Sequence, residues 1–347
     1  MIAGPCASQE AQGSQNPAYR PALTDPARLC RSMRILVTGG AGFIGSHLVE
    51  ALVRQGHEVR VLDDLSSGRL ANLRSVRRDI EFLKGDCAEP AVARRAVGHR
   101  EVVFHEAAVP SVARSVDDPA LSHHANATAT LSLLVAARDA GVRRLVYAGS
   151  SSVYGAERGL PKLESMPTRP MSPYGVAKLL GEHYLRVFAE LYGLETLTLR
   201  YFNVFGPRQD PSSPYSGVIS LFTTEMLRGR TPVIYGDGRQ SRDFTYVDNV
   251  VQANLLALEA KGLRGQTVNV ATGRRISLLR LLSAVARETG RPARARHLAA
   301  RPGDVRHSLA AVSAARRLLG YRPTVDFETG LARTVAWYRE DVRKKRL

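Results

Sequence analysis

From residue 34 to about residue 200, short apolar runs alternate with amphipathic stretches. The runs at 34–38, 58–62, 80–83, 101–105, 143–148 and 195–200 read as buried strands. The stretches at 43–55, 88–97, 119–140 and 173–192 repeat their apolar positions at helical spacing. Strand and helix alternating in this way predict an α/β fold of Rossmann type, a doubly wound parallel sheet with helices on both faces. Past Tyr201 the regularity loosens, because Gly206-Pro207, Pro211, Pro214, Gly236 and Gly238 break the chain into loops. Helices are expected near 216–229, 247–261, 277–289, 311–319 and 327–343. The pattern therefore predicts a dinucleotide-binding domain over 33–200 and a smaller C-terminal α/β substrate lobe over 201–347, with the site in the crevice between them.

Composition narrows the class. A hydrophobic fraction of 44% and a charged fraction of 23% belong to an ordinary globular chain. No apolar run reaches the roughly 18 residues of a membrane span, so no membrane partner is expected. A net charge of +17 invites a nucleic-acid reading. Yet of the 49 basic residues only six are lysine, and the arginines are spread along the chain without forming a stripe or tail. No nucleic-acid partner is expected, although such a field attracts anionic substrates. Cys6, Cys30 and Cys87 sit at no metal or redox spacing and fit a reducing cytoplasm. Residues 1–32, rich in Gly, Pro, Gln, Ser and Ala, read as a disordered extension without the pattern of a signal peptide. Met33, just before the first strand, is a candidate start of translation.

Three segments carry chemistry. The first is Thr38-Gly39-Gly40-Ala41-Gly42-Phe43-Ile44-Gly45, between a predicted strand and a predicted helix. Glycines at Gly39, Gly42 and Gly45 permit a tight turn and close approach of backbone to a pyrophosphate facing the helix N-terminus. The second strand ends at Asp63-Asp64, where a carboxylate accepts ribose hydroxyls and repels a 2′-phosphate. That favours NAD over NADP, with Arg69 nearby as the one opposing signal.

The third segment is Ser172-Pro173-Tyr174-Gly-Val-Ala-Lys178, a helix start that places Tyr174 and Lys178 on one face. A nearby ammonium favours a phenolate, making Tyr174 a usable base near neutrality. The preceding Gly149-Ser150-Ser151-Ser152-Val153-Tyr154-Gly155 ends a strand at the sheet edge where α/β folds place ligands. His123 and His124 are adjacent, so on a helix they diverge by about 100°, and no carboxylate or cysteine completes a site. No metal is expected.

Together these residues resemble the extended short-chain dehydrogenase/reductases and, within them, the UDP-galactose 4-epimerase family. The resemblance spans 34–343 and includes Asn126, Arg200-Tyr-Phe-Asn203-Val-Phe-Gly206, Gly236-Asp-Gly-Arg-Gln-Ser-Arg242 and Arg301-Pro-Gly-Asp304-Val-Arg-His-Ser308. It implies a resident NAD, touched also by Phe43, Ile44, Asp86, Ala107, Ala108, Asn126, Tyr174, Lys178 and Tyr201. It implies that Tyr174 takes the proton of a sugar 4-hydroxyl, that Ser150 hydrogen-bonds the reacting oxygen, and that Lys178 holds the nicotinamide ribose. The 4-keto sugar then turns over and takes the hydride back on its other face. Asn203, Arg242 and Arg301 match diphosphate contacts, Asp304 a ribose contact, and Ser111 lies in a segment shared with UDP-N-acetylglucosamine 4-epimerases. Ser308 matches a gatekeeper beside the sugar, where a small side chain admits an N-acetyl group. The expected activity is therefore on UDP-GlcNAc/UDP-GalNAc and UDP-Glc/UDP-Gal, in a homodimer built on the helices at 119–140 and 174–192.

The rivals are a nucleotide-sugar 4,6-dehydratase, a UDP-glucuronate 4-epimerase or decarboxylase, and a non-catalytic NAD-binding regulator. Dehydratases of this family usually carry an Asp-Glu pair where this chain has Ser151-Ser152. An intact Ser150, Tyr174 and Lys178 argue against a regulator. Glu106 departs from the family, which usually has an apolar or neutral residue there. Gly85-Asp86-Cys87-Ala88 also departs, lacking a second acidic residue; both are expected to alter cofactor affinity and not the chemistry.

Overall fold

The computed structural model describes residues 31–155, 157–211, 217–300 and 305–344. The extension at 1–32 lies outside the described residues except for its last two positions, and Arg301 and Asp304 lie outside them too.

The six apolar runs form β1 (Arg34–Thr38), β2 (Glu58–Asp63), β3 (Ile80–Lys84), β4 (Val102–His105), β5 (Arg144–Ser150) and β6 (Glu195–Tyr201). They pair in parallel, and the central β1, β4 and β5, covered by helices on both faces, are the most continuously apolar. Beyond Tyr201 the strands shorten. β7 (Val204–Phe205) pairs with β10 (Thr245–Tyr246), β8 (Val233–Tyr235) with β13 (Arg296–Leu298), and β9 (Ser241–Arg242) with β12 (Ile276–Ser277). The longer β11 (Gln266–Val270) crosses back and adds a seventh parallel strand beside β6. The sheet order is β3-β2-β1-β4-β5-β6-β11.

The helices are α1 (Phe43–Arg54), α2 (Pro90–Val97), α3 (Val112–Asp117), α4 (Pro119–His123), α5 (Ala129–Asp139), α6 (Pro173–Tyr192), α7 (Val218–Leu227), α8 (Val247–Glu259), α9 (Leu278–Thr289), α10 (Ser313–Leu319) and α11 (Phe327–Lys344). Leu48, Val250 and Leu319 bring α1, α8 and α10 onto one face of the sheet. Ala93, Leu133 and Leu185 bring α2, α5 and α6 onto the other. Each such leucine or valine contributes roughly 1.5–3 kcal/mol when fully buried. A third cluster, with Phe205, Phe222, Phe244, Leu281 and Phe327, forms the core of the second part.

The stretch predicted as one helix over 119–140 is interrupted by a π-helical turn at His124–Thr128. The wider turn lies beside the crevice, and His124 there bonds Asp86 at 2.8 Å. Such bulges concentrate at functional sites. The sheet order fixes where the site falls. The chain runs from β1 outward to β3 and returns to β4 on the other side of β1, so a crevice opens beyond the carboxyl ends of β1 and β4. The glycine turn follows β1, and Glu106 follows β4.

Candidate active site

That crevice is a cleft of about 1090 Å³, running from the glycine turn to Ser308. Apart from Asn126, every described residue expected to touch cofactor or sugar lines it, including Ser111, Asn203 and Arg242. Asn126 sits behind the wall formed by His124 and Ala125, in the π-helical turn. Its buried Oδ1 has no hydrogen-bond partner among the described residues.

At one end, Gly39 adopts φ +67, and a Cβ there would lie 2.7 Å from Ala107 Cα. A Cβ on Gly45 would stand 2.2 Å from the Gly39 carbonyl oxygen. Only glycine fits either place, and the effect is a backbone cradle directly before α1. The N-cap of α1, Gly42, supplies no side-chain acceptor, so the first N–H groups of the helix remain available to an anion. Asp63 ties this turn to the following loop, accepting from Ala41 N and Leu65 N at 2.9 Å each. Asp64 accepts from Ser66 N at 2.8 Å and Ser66 Oγ at 2.7 Å. Both carboxylates line the cleft. Arg69, the signal that opposed an NAD assignment, pairs with Asp210 at 2.6 Å.

At the other end, β5 delivers Ser150 and α6 delivers Tyr174 and Lys178. α6 starts where Ser172 Oγ accepts from Gly175 N at 3.1 Å, with Pro173 in the first turn. Ser150 Oγ accepts from Ser152 N at 3.2 Å and from Ser152 Oγ at 2.9 Å. The Lys178 ammonium donates to Ala148 O at 2.9 Å and lies 5.9 Å over the Tyr174 ring.

The electrostatics differ from the sequence expectation. Burial pushes the Tyr174 phenol up to about 12, and a hydrogen bond with Ser150 only partly opposes it. Burial likewise pulls Lys178 down to about 8, against the carboxylates of Glu106 and Glu182. Desolvation disfavours both charged forms, and in the cleft by itself it outweighs the mutual help of phenolate and ammonium.

Asn203 holds φ +36, with Nδ2 donating to Asp243 O at 3.0 Å and to Ser308 Oγ at 3.2 Å. Arg242 donates through its NH1 to Ser241 O at 3.1 Å and Arg306 O at 3.2 Å. Sequence reasoning missed several cleft residues, among them Lys162, Gln209, Tyr235 and His307. They lie on loops and on strands of two or three residues, where no periodicity marks them. The buried Oε1 of Gln209 lacks a partner among the described residues.

Glycines that no side chain can replace, an open helix N-terminus and paired carboxylates fit a dinucleotide, and Tyr174 with Lys178 fits a hydride-transfer site. These features define an NAD-binding oxidoreductase-type fold. The chain belongs to the NAD dependent epimerase/dehydratase family, whose model matches residues 35–271, and its cofactor is NAD. It is 43% identical over 311 residues to a UDP-glucose 4-epimerase of Mycolicibacterium smegmatis, covering 88% of this chain and 99% of the relative. A UDP-N-acetylglucosamine 4-epimerase from Methanobrevibacter ruminantium, solved with UDP-N-acetylmuramic acid, superposes with a TM-score of 0.86 at 39% identity, covering 90% of this chain and 100% of that one. A Thermus thermophilus UDP-glucose 4-epimerase in complex with NAD superposes at 0.80 and 38% identity, covering 88% and 99%. Similar proteins also include dTDP-glucose 4,6-dehydratases and a UDP-N-acetyl-alpha-D-glucosaminuronate decarboxylase. No helix among the described residues is long and apolar enough to cross a membrane, and no group of three or more possible metal ligands occurs among them.

Proposed function

We propose that the protein is a UDP-sugar 4-epimerase that interconverts UDP-GlcNAc with UDP-GalNAc and UDP-Glc with UDP-Gal, holding NAD tightly and working as a cytoplasmic homodimer. The observation that carries this reading is the catalytic end of the cleft, where Ser150, Tyr174 and Lys178 converge and the two residues after Ser150 are serines. Ser151 and Ser152 occupy the turn where a dehydratase needs a proton donor to expel the 6-hydroxyl. The serines provide none, because a hydroxyl is too weak an acid.

Tyr174, as phenolate, takes the proton of the sugar 4-hydroxyl, and Ser150 donates a hydrogen bond to the same oxygen. Lys178 keeps the phenolate favourable and orients the cofactor ribose. Bound NAD would supply a hydride acceptor beside carbon 4 and, reduced, the donor for the return, leaving no net redox change. When the keto sugar presents its other face, Tyr174 gives the proton back. Asn203 and Arg242 grip the diphosphate, and Arg301 and Asp304, on residues outside those described, complete the grip in this reading. The nucleotide is held firmly while the sugar turns.

The small side chain of Ser308, bonded to Asn203 at the sugar end, supports acceptance of a 2-acetamido group. Ser308→Tyr is expected to remove UDP-GlcNAc turnover at least tenfold while sparing UDP-Glc; unchanged N-acetyl activity sinks the gatekeeper role. The decisive assay supplies UDP-GlcNAc, UDP-Glc and UDP-GlcA separately, without added NAD. Epimers without accumulating NADH are expected, whereas release of water or carbon dioxide overturns the reading.

A further inference from the structure

The mechanism above makes no use of Glu106, yet its carboxylate stands in the cleft wall. It follows β4 directly, where the backbone passes under the glycine turn: a Cβ on Gly39 would come within 2.9 Å of the Glu106 carbonyl carbon. Glu106 Oε1 accepts from the Tyr201 hydroxyl at 2.7 Å, and the same hydroxyl accepts from Asn254 Nδ2 at 2.8 Å. A chain of hydrogen bonds from α8 through β6 thus fixes the carboxylate at the Lys178 end of the cleft. Glu106 and Lys178 each feel the other's charge.

A carboxylate in a desolvated wall needs a compensating charge. Lys178 supplies part of it. The redox ring of NAD belongs at this end, because the hydride must be exchanged with the carbon whose hydroxyl Tyr174 deprotonates. That ring is positively charged when oxidised and neutral when reduced. We propose that Glu106 selects the redox state of the cofactor: held by Tyr201 and Asn254, its carboxylate favours binding of NAD⁺ over NADH. The inference rests on NAD binding, which the family establishes; its use in catalysis rests on the proposed epimerase reading. An enzyme that returns its hydride to the same sugar stalls if the keto intermediate escapes, and a preference for NAD⁺ opposes that stalled state.

The sign of the pH dependence follows from the surroundings. Burial pushes Glu106 up to about 7, with the Tyr201 hydrogen bond and Lys178 acting the other way. Lys178 on α6 and Tyr201 on β6 act on it directly. The other titratable groups at this end are Tyr174 and Glu182 on α6, the latter paired with Arg200, His105 on β4, Tyr147 on β5 and the buried Cys87 thiol. His105 is pulled down to about 3 by burial and then by Lys178, so it stays neutral. Burial raises all three phenols, so in the cleft without cofactor they stay neutral too. Lys178, pulled down to about 8, and the Tyr174 phenol beside an oxidised cofactor change charge close to the same range, so the share of Glu106 is the difference between the wild type and Glu106→Gln. NAD⁺ preference should rise with pH as the carboxyl ionises.

The test needs no sugar. Purified protein is equilibrated with NAD⁺ and NADH in known proportion until the bound ratio is constant, gel-filtered, and the bound ratio read from the near-ultraviolet absorbance of NADH. Glu106→Gln keeps an acceptor for Tyr201 but removes the charge; the bound NAD⁺/NADH ratio is expected to fall about tenfold. In the wild type the ratio is expected to rise several-fold from about pH 6 to 7.5, and in the variant to rise less. A bound ratio in Glu106→Gln within twofold of wild type overturns the inference. So does a flat wild-type series, which decides the matter even where the variant fails to fold. Because sugar turnover is measured separately, failure of the epimerase reading leaves this outcome unaffected.

Discussion

Tyr174 is the wrong species for a base until something lowers its pKa. Burial holds the phenol at about 12, and Lys178, itself pulled down to about 8 by burial, is too desolvated to reverse this alone. The positive charge of the oxidised cofactor is the remaining source of stabilisation, so the base is armed only in the loaded cleft. The phenol works in its ionised form, so turnover is expected to fall as pH falls through its pKa in the loaded enzyme. Lys178→Met should move that acid limb upward by about one unit or more, because the nearest ammonium is gone. Tyr174→Phe should lower kcat by roughly 10²–10⁴ with the unfolding temperature nearly unchanged. A kcat–pH profile that Lys178→Met leaves in place would show that the lysine only anchors the cofactor.

At the scale of elements, the catalytic end depends on one buried ion pair that joins a helix to a strand. Arg200 on β6 donates to Glu182 on α6 at 3.0 and 2.7 Å, with both side chains 5% exposed. The guanidinium also covers the Tyr154 ring at 4.7 Å, and Tyr154 bonds Asn269 on β11 at 2.7 Å. Glu182 lies one turn beyond Lys178, so the pair locks α6 in register with the serine turn. Glu182→Gln, which leaves Arg200 buried and unpaired, is expected to lower stability by about 3–5 kcal/mol. Glu182→Leu combined with Arg200→Met should lose much less than the two single changes added together, as denaturant titration will show. The same elements mark what was legible in the sequence. β1, β4 and β5 were readable because parallel strands covered on both faces become continuous apolar runs, and β2, β3 and β6 because short apolar stretches stand between helical ones. β11 escaped because Gln266, Thr267 and Asn269 break its pattern, and Asn269 is tolerated there only through bonds to Tyr154, Lys162 and Ala311. The glycine turn and the Tyr174/Lys178 face were legible because local spacing alone defines them. His307 and Lys162 were not, since their place in the cleft depends on crossings between distant segments.

For the molecule as a whole, the open question is how α6 is completed. Its inner face is spent on the sheet through Leu185 and Phe188, yet its outer face keeps Val176, Val187, Leu191 and Tyr192 in solvent, Leu191 at 68% and Tyr192 at 49% exposure. Val176, Val187 and Leu191 fall within about 60° of one another around the helix axis, forming a stripe a solvated helix has no need of. Two-fold pairing of α6 and the adjacent α5 with their copies would cover that stripe on both subunits at once. It would also brace the helix that carries Tyr174 and Lys178 from the side opposite the cleft. Leu191→Glu combined with Val187→Glu places two carboxylates in each half of such an interface, where like charges face one another. Sedimentation should find the wild type at twice the chain mass and this variant at the chain mass. Because these residues make little contact with the chain's own core, the variant's circular dichroism should match the wild type. A wild type that sediments as a monomer at micromolar concentration rules the dimer out. A monomeric variant that keeps full turnover would show that pairing braces the helix without being needed for catalysis.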